Sequence, residues 1–184
     1  MRVIAGSAKG KVLKSVPGDS TRPISDRVKT AFFDTIRPEL SNMKVLDLFA
    51  GTGSVGIEAL SQGAEHAVFV ELNKKAIRII EDNLSSTGLK CKALVLNQDA
   101  FLFLKNNKRV FDLIYVAPPQ YQALWQMALH HIAERPNLVS EGGLVVAQID
   151  PKEYEELFLE DFREERQKKY GNTLLVFYRK CSMH

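Results

Sequence analysis

Short apolar, β-branched runs alternate with helix-like segments from residue 44 to residue 158, and this alternation constrains the fold more than any other feature of the sequence. It is typical of βαβ units arranged around a parallel sheet. The predicted strands are 44–49, 67–72, 92–97, 111–116 and 144–149. The predicted helices are 54–62, 74–86, 99–105, 121–134 and 151–158.

The last segment of the chain has a different pattern. A polar run over 162–170 and an apolar run over 173–180 flank the turn Gly171-Asn172. So short a connection permits only an antiparallel pair, because a parallel crossover needs a dozen or more residues. We therefore expect an α/β fold with a mostly parallel seven-stranded sheet that ends in an antiparallel hairpin. An ordinary dinucleotide-binding domain ends in another parallel strand instead.

Residues 1–43 form a predicted extension that precedes the core 44–184. The opening RVIAGSAKGKVLKS predicts a β-hairpin that turns near Lys9-Gly10. A helix is expected from about Ser25, which serves as its N-cap, to Ile36, with Pro38 as the stop signal. A chain of 184 residues fits a single domain.

The composition is that of an ordinary soluble globular protein, with 26% charged and 45% hydrophobic residues. No apolar run approaches the roughly 18 residues of a membrane span, and the N-terminus lacks the continuous apolar centre of a signal peptide. We therefore expect a cytoplasmic protein that does not bind membranes.

The cysteines and histidines do not predict a metal site. Cys91 and Cys181 form no CxxC pair and have no histidine at ligand spacing. Both are expected to be reduced thiols, Cys91 in a strand and Cys181 in the tail. The histidines are expected on the surface or on helix faces: His66, His130, His131 and His184.

Positive charge is concentrated at the N-terminal end. The net charge of the whole chain is +3, whereas residues 1–45 alone carry nine Lys and Arg against four Asp and Glu. The remainder is therefore mildly acidic. Two interpretations are open: an electrostatic footprint for nucleic acid, or a solvated surface that is rich in lysine.

A glycine-rich turn joins the first predicted strand to the helix that follows it. In LDLFAGTGSVG, residues 46–56, the glycines are Gly51, Gly53 and Gly56. Glycine lets the backbone turn tightly and approach a ligand, and the helix N-terminus offers free N–H groups. The spacing is also the dinucleotide fingerprint, so the glycines alone do not identify the cofactor.

Three acidic residues lie inside, at the end of and after successive predicted strands. Asp47 lies four residues before the first glycine, where its charge would oppose the phosphates of NAD and suits the ammonium and sulfonium groups of S-adenosylmethionine. Its alternative role is to cap a helix or brace the loop. Glu71 is placed to accept the hydroxyls of a ribose, which serves either ligand. Asp99 is placed to accept from an adenine amino group and also to cap the next helix, and these roles are compatible.

With these residues the chain resembles the RsmD family of bacterial 16S ribosomal RNA guanine-N2 methyltransferases along nearly its whole length. The matching segments are RVIAGSAKGKVLKS, TRPISDRVKTAFFDTI, VLDLFAGTGSVGIEALSQGA, VFVELNKKA and FDLIYV-PP. The resemblance implies a Rossmann-like class I methyltransferase fold, preceded by the small hairpin and helix. It also implies transfer of a methyl group from S-adenosylmethionine to the exocyclic amine of a guanine.

The resemblance also implies roles for individual residues. The expected partner is ribosomal RNA or a small-subunit assembly intermediate, which would face the basic hairpin and the segment from Arg22 to Lys29. The implied cofactor-binding residues are Asp47, Phe49, Gly51, Gly53, Gly56, Glu71, Asp99 and Ala100. The implied RNA-binding residues are Lys9, Lys11, Arg22 and Arg27.

The sequence departs from the family pattern at the end of the fourth predicted strand. The family has Asp or Asn, then Pro-Pro, then an aromatic residue, whereas this chain reads Ala117-Pro118-Pro119-Gln120-Tyr121. A base amine is a poor nucleophile because its lone pair is conjugated with the ring, and the usual side chain accepts its N–H. Carbonyl groups of the rigid Pro-Pro turn would have to hold the amine here. The candidate catalytic residues are Ala117, Pro118, Pro119 and Tyr121.

Several alternatives stay open at this point. Tyr121 either stacks on a flipped-out base or packs at the start of a helix, and Trp125 is expected in the core although it lies one helical turn later. The altered motif is also compatible with a different methyl acceptor, or with an RNA-binding homologue of little activity. An NAD-dependent oxidoreductase is favoured by the glycine spacing only.

Overall fold

The computed structural model describes residues 1–18 and 23–182, and its centre is a seven-stranded sheet. The strands are β1 Lys44–Leu48, β2 His66–Glu71, β3 Ala93–Asn97, β4 Phe111–Val116, β5 Val139–Ile149, β6 Phe162–Tyr170 and β7 Thr173–Lys180. The α-helices are α1 Asp26–Leu40, α2 Ser54–Ser61, α3 Lys74–Thr87, α4 Ala100–Asn106 and α5 Leu124–Ala133. Short 3₁₀ turns are formed by Lys90–Lys92, Pro136–Leu138 and Pro151–Glu153.

The strand order is β3-β2-β1-β4-β5-β7-β6. All neighbours from β3 to β5 pair in parallel, whereas β7 pairs antiparallel with both β5 and β6. The predicted mostly parallel sheet with a terminal hairpin is confirmed. The strand order changes direction between β1 and β4, and a ligand crevice forms outside the carboxyl ends of parallel strands at such a switch point.

Two layers of helix cover the sheet. Apolar side chains of α1, α2 and α3 pack on one face, and those of α4 and α5 pack on the other. Gly56 shows how closely α2 approaches the sheet, since a Cβ atom at this position would lie 2.3 Å from Cε1 of Phe69. The third glycine of the motif therefore serves helix-to-strand packing.

The N-terminal segment forms a single antiparallel bridge, Arg2 to Val12, in place of the expected hairpin with two strands. Its backbone bonds to itself, as in the bond from the Val3 N–H to the Lys11 carbonyl at 2.9 Å, and it also bonds to α2. The Glu58 carboxylate accepts from the N–H groups of Ile4 and Ala5 at 2.9–3.1 Å. The turn near Lys9-Gly10 is present, and Gly10 has a φ of +84°.

The first helix begins as expected and ends later than expected. Ser25 caps α1 by accepting from the N–H of Val28. The expectation that Pro38 stops the helix near Ile36 is wrong, because α1 continues to Leu40. Pro38 lies in the last turn and costs one backbone hydrogen bond there, while Leu40 is buried.

The predicted helix over 151–158 is wrong. Only Pro151–Glu153 form a 3₁₀ turn, in which the Asp150 side chain accepts from the N–H of Lys152. The chain then runs without regular structure, and Phe158 is exposed. The backbone is extended at Tyr154, which ends the turn, and Tyr154 and Leu157 pack against the core from this irregular segment.

Two other predicted bounds and the predicted place of Cys91 are also wrong. Strand β5 begins at Val139, five residues early, with a register shift opposite Phe111 and Leu113. Helix α5 begins at Leu124 because Tyr121 and Ala123 have positive φ angles. Cys91 lies in a 3₁₀ turn, not in a strand. The remaining predicted strands and helices of the core agree with the structure to within one residue at each end. None of the described helices is long and apolar enough to cross a membrane.

Candidate functional site

A cavity of about 310 Å³ opens at the carboxyl ends of β1 to β4. Its lining includes eight of the residues that the sequence analysis singled out: Asp47, Phe49, Gly51, Glu71, Asp99, Ala100, Ala117 and Pro119. Four others, Gly53, Gly56, Pro118 and Tyr121, are not part of the lining. The structure thus brings the acidic strand ends and the Pro-Pro turn to one cavity.

The turn after β1 has a backbone that few residues adopt. Phe49, Gly51 and Gly53 have φ angles of +65°, +56° and +75°. A left-handed conformation costs a residue other than glycine about 1 kcal/mol or more, so its surroundings must hold Phe49 in place. The Ala50 N–H donates to the Val70 carbonyl at 3.0 Å, and the Phe49 ring lies edge-on to Phe101 at 6.0 Å between centroids.

Asp47 lies on the floor of the cavity and is 2% exposed. The N–H of Gly56, in the first turn of α2, donates to its Oδ2 at 3.0 Å. Burial raises the pKa of Asp47 to about 7, the Gly56 hydrogen bond opposes this shift, and the nearby charge of Glu71 adds to it. Asp47 therefore braces the helix and also faces the cavity, so the two roles are compatible.

The carboxylates of Glu71 and Asp99 are held by backbone N–H groups. Glu71 accepts from Gly51 and from Asn73, each at 2.8 Å. Asp99 caps α4 by accepting from Leu102 at 2.9 Å, which confirms its predicted capping role. Since neighbouring strands lie about 4.8 Å apart, the three carboxylates form a short row along the ends of β1, β2 and β3.

The other end of the cavity contains residues that the sequence analysis did not single out. Tyr115, Gln148 and Ile24 line it together with Ala117 and Pro119. The Tyr115 hydroxyl donates to Oε1 of Gln148. Burial raises the pKa of Tyr115 well above its ordinary value, and the charge of Asp47 adds to this shift. Gln148 is the polar residue in the apolar run LVVAQI, which is the signal that identifies it in the sequence.

Tyr121 lies outside this lining and is 64% exposed. Its hydroxyl donates to Oδ2 of Asp150 at 2.7 Å, and its N–H donates to Oε1 of Glu153 at 2.6 Å. Packing at the start of a helix is wrong for Tyr121, because the helix begins at Leu124; stacking on a base stays a prediction. Trp125 is buried, so its predicted place in the core is confirmed.

The basic N-terminal residues lie at different distances from the cavity. Arg27 is exposed and follows Ile24 of the lining by three residues. Lys9 and Lys11 are exposed, but the turn that carries Lys9 packs against Ser61 at the far end of α2. A helix of eight residues is about 12 Å long, so Lys9 lies well away from the cavity. Arg22 lies outside the described residues.

Lys29 does not face solvent or RNA, contrary to the expectation for the segment that ends there. Its side chain is fully buried and its Nζ lies 3.3 Å from Oε2 of Glu58. It donates to the Arg2 carbonyl at 2.7 Å and to Oγ of Ser54 at 3.0 Å. Lys29 therefore joins the N-terminal segment and α1 to the start of α2.

Comparisons with known proteins agree with this architecture. A family model described as conserved hypothetical protein 95, which represents the RsmD family, matches residues 1–179. The chain belongs to the RsmD family. YlbH of Bacillus subtilis is 38% identical over 98% of this chain and 99% of its own length. The small-subunit rRNA methyltransferase D of Haemophilus influenzae is 34% identical over 82% of this chain and 79% of its own.

A solved structure from Escherichia coli shows the same fold, with a TM-score of 0.88 and 25% identity over 100% of this chain and 99% of that one. The fold is that of the class I methyltransferases. The resemblance to the RsmD family and the predicted fold class are thereby confirmed. In this RsmD chain, Ala117 lines the cavity itself.

Proposed function

We propose that this chain is an S-adenosylmethionine-dependent methyltransferase that acts on the N2 amine of a guanine in small-subunit (16S) ribosomal RNA. One observation carries the proposal: a single cavity joins the row of carboxylates to the Ala117-Pro118-Pro119 turn. Membership in the RsmD family and the name of the Haemophilus influenzae relative support ribosomal RNA as the substrate.

The residues at the strand ends fit S-adenosylmethionine. The buried Asp47 carboxyl, whose pKa is raised, gains from a cationic ligand and opposes a pyrophosphate. An ionised carboxylate has about four acceptor sites, so Glu71 can accept ribose hydroxyls in addition to its two backbone donors. Asp99 is adjacent and is proposed to accept from the adenine amino group. These features disfavour an NAD-dependent oxidoreductase.

The methyl donor supplies an activated methyl group on sulfur, and the protein holds the two reactants in position. We propose a direct displacement, since the described lining contains no cysteine or histidine that would act as a nucleophile. The rigid Pro-Pro turn, together with Ile24 of the lining, would hold the base against the methyl group. Holding two reactants in this way accounts for a large part of the rate in such transfers.

Loss of the gene is expected to remove one N2-methylguanosine from 16S ribosomal RNA. The measurement is mass spectrometry of nucleosides, and of mapped RNA fragments, from cells with and without the gene. The purified protein with S-adenosylmethionine should restore the modification on RNA or on small subunits from the deletion strain. A modification on another base would favour the alternative of a different acceptor, which the Ala117 motif leaves open.

Reversing the charges Lys9→Glu, Lys11→Glu and Arg27→Glu together should weaken RNA binding by about ten- to a hundredfold at 0.15 M salt. The slope of log affinity against log salt should fall by roughly two to three, because phosphate contacts release counterions. The affinity for S-adenosylmethionine should change little. The measurement is RNA affinity over a salt series.

A matched control reverses three exposed lysines outside the N-terminal segment, Lys105, Lys108 and Lys169. It has the same change in net charge, and we expect a smaller loss of affinity. Equal losses in the two triple variants would mean that net charge alone, and not the N-terminal surface, attracts RNA.

A further inference from the structure

Gln148 brings a polar side chain into the cavity beside Ala117. In the parallel pair of β4 and β5, Val116 lies opposite Ala147. Ala117 and Gln148 directly follow these two residues. Residues that lie opposite each other in a parallel pair point their side chains to the same face of the sheet. Both residues line the cavity. The amide of Gln148 therefore stands next to the position where the chain lacks a polar side chain.

The amide is held by a rigid partner. The Tyr115 hydroxyl donates to Oε1 of Gln148, and Tyr115 itself is buried with its ring 5.2 Å from the Phe32 ring. A carbonyl oxygen accepts two hydrogen bonds, so Oε1 has one site left for a ligand. Gln148 is only half-buried, which leaves that site open to the cavity.

Most other side chains at this end of the cavity do not offer an acceptor. Among the described lining residues, Pro23, Ile24, Pro119 and Leu124 are apolar. The Tyr115 hydroxyl is bonded to Gln148, and Asp47 is proposed to face the cationic cofactor. Gln148 is thus the side chain best placed to receive an N–H from a base held against the Pro-Pro turn.

We infer that Oε1 of Gln148 accepts a hydrogen bond from the exocyclic amine of the guanine and replaces the acceptor that Ala117 lacks, which makes Gln148 a catalytic residue. The inference rests on the proposed function. The acceptor is thus supplied by β5 in place of the residue that follows β4, and it lies on the same face of the sheet.

In the transfer, the lone pair of the amine nitrogen forms the new N–C bond to the methyl carbon. The S–C bond breaks, and its electron pair stays on the sulfur of the departing S-adenosylhomocysteine. The positive charge on nitrogen is then removed by loss of a proton to water. An amide is too weak a base to take that proton, so Gln148 orients the amine and aligns its lone pair with the methyl group.

The first test is the rate of single-turnover methyl transfer with saturating S-adenosylmethionine. Gln148→Leu should slow transfer by about ten- to a hundredfold, as expected when one oriented hydrogen bond is lost. Gln148→Glu keeps an acceptor and should stay within about tenfold of the parent. Gln126→Leu removes a glutamine that bonds to Glu155 on the surface, and it should leave the rate unchanged.

A rescue variant separates the loss of the acceptor from damage to the fold. Ala117→Asn in the Gln148→Leu background returns an amide to the same end of the cavity, and it should recover much of the lost rate. Calorimetry of S-adenosylmethionine binding should give similar affinities for the parent and the Gln148 variants. This measurement also shows that each variant is folded.

A second readout does not depend on turnover. RNA fragments carry either the mapped guanine or inosine, which lacks the exocyclic amine, and their affinities are compared. The parent should prefer guanine by about three- to tenfold, and Gln148→Leu should lose this preference. If the parent makes N2-methylguanosine while Gln148→Leu transfers at the parental rate and keeps the preference, the inference is overturned and the proposed function stands. If the parent makes none, the proposed function itself fails.

Discussion

Replacing Lys29 with methionine is expected to lower the free energy of unfolding by about 3–5 kcal/mol. Both side chains of the pair Lys29–Glu58 are fully buried, and their charged atoms are 3.3 Å apart. The methionine would leave the Glu58 carboxylate in the interior with only uncharged donors, from Ile4, Ala5 and Gln62. For a chain of this size the loss corresponds to roughly 6–20 °C in Tm, and denaturant or thermal unfolding measures it.

Lys14→Met is the matched control for this stability prediction. Lys14 and Asp82 also form an ion pair, at 2.8 Å, but their side chains are 65% and 52% exposed. Such a pair contributes about 1 kcal/mol or less. The double variant Lys29→Met/Glu58→Gln should be more stable than Lys29→Met alone, since it removes the unpaired buried charge. A loss below about 1 kcal/mol for Lys29→Met would mean that the pair adds nothing to stability.

This buried pair also shows what the sequence alone does not reveal. The resemblance to the RsmD family implies that the segment from Arg22 to Lys29 faces RNA, and most lysines are exposed. The burial of Lys29 depends on Glu58, which is 29 residues away in the chain and lies on a different helix. Sequence periodicity predicts which face of a helix is apolar, but it does not show which charged residues two helices bury together.

Local signals explain why the strands of the core were predicted well. The apolar runs of β1 to β4 are short, are bounded by polar residues, and match the structure to within one residue. The segment after Ile149 is different, because Tyr154 and Leu157 pack against the core without forming a helix. The side chains of Asp150 and Glu153 instead make hydrogen bonds with Tyr121, which lies 29 and 32 residues before them.

Some residues of the cavity are predictable from the sequence, and others are not. Carboxylates near the carboxyl ends of parallel strands meet at one edge of a sheet, so Asp47, Glu71 and Asp99 were predictable from strand order. Gln148 is not predictable in this way, because its proposed role depends on its position beside Ala117. That juxtaposition depends on the register of β4 and β5, in which Val116 pairs with Ala147. Because β5 begins irregularly, the sequence alone does not predict this register.

Asp47→Asn is expected to change cofactor affinity and protein stability in opposite directions. At pH 8 the parental carboxylate is charged, and the loss of its attraction for a cationic ligand should weaken S-adenosylmethionine binding by about ten- to a hundredfold. In the protein without cofactor the same charge is buried at a cost. Asparagine keeps an acceptor for the Gly56 N–H without that charge, so the variant should unfold at a higher temperature at pH 8.

The pH dependence gives the sharper form of this prediction. Burial raises the pKa of Asp47 from 3.8 to about 7 in the folded protein, so the carboxyl favours folding at low pH and this contribution is lost as pH rises from about 4 to 7. The stability advantage of Asp47→Asn should therefore be largest at pH 8 and shrink toward pH 5.

A cationic ligand favours the ionised form, so binding to the parent should release a proton below pH 7. Affinity should be about tenfold weaker at pH 6 than at pH 8. Calorimetry in buffers of different ionisation enthalpy measures the released proton, and Asp47→Asn should show neither the release nor the pH slope. A parental affinity that is flat between pH 6 and 8 would mean that Asp47 does not interact with the positive charge of the cofactor and acts only as a brace for α2.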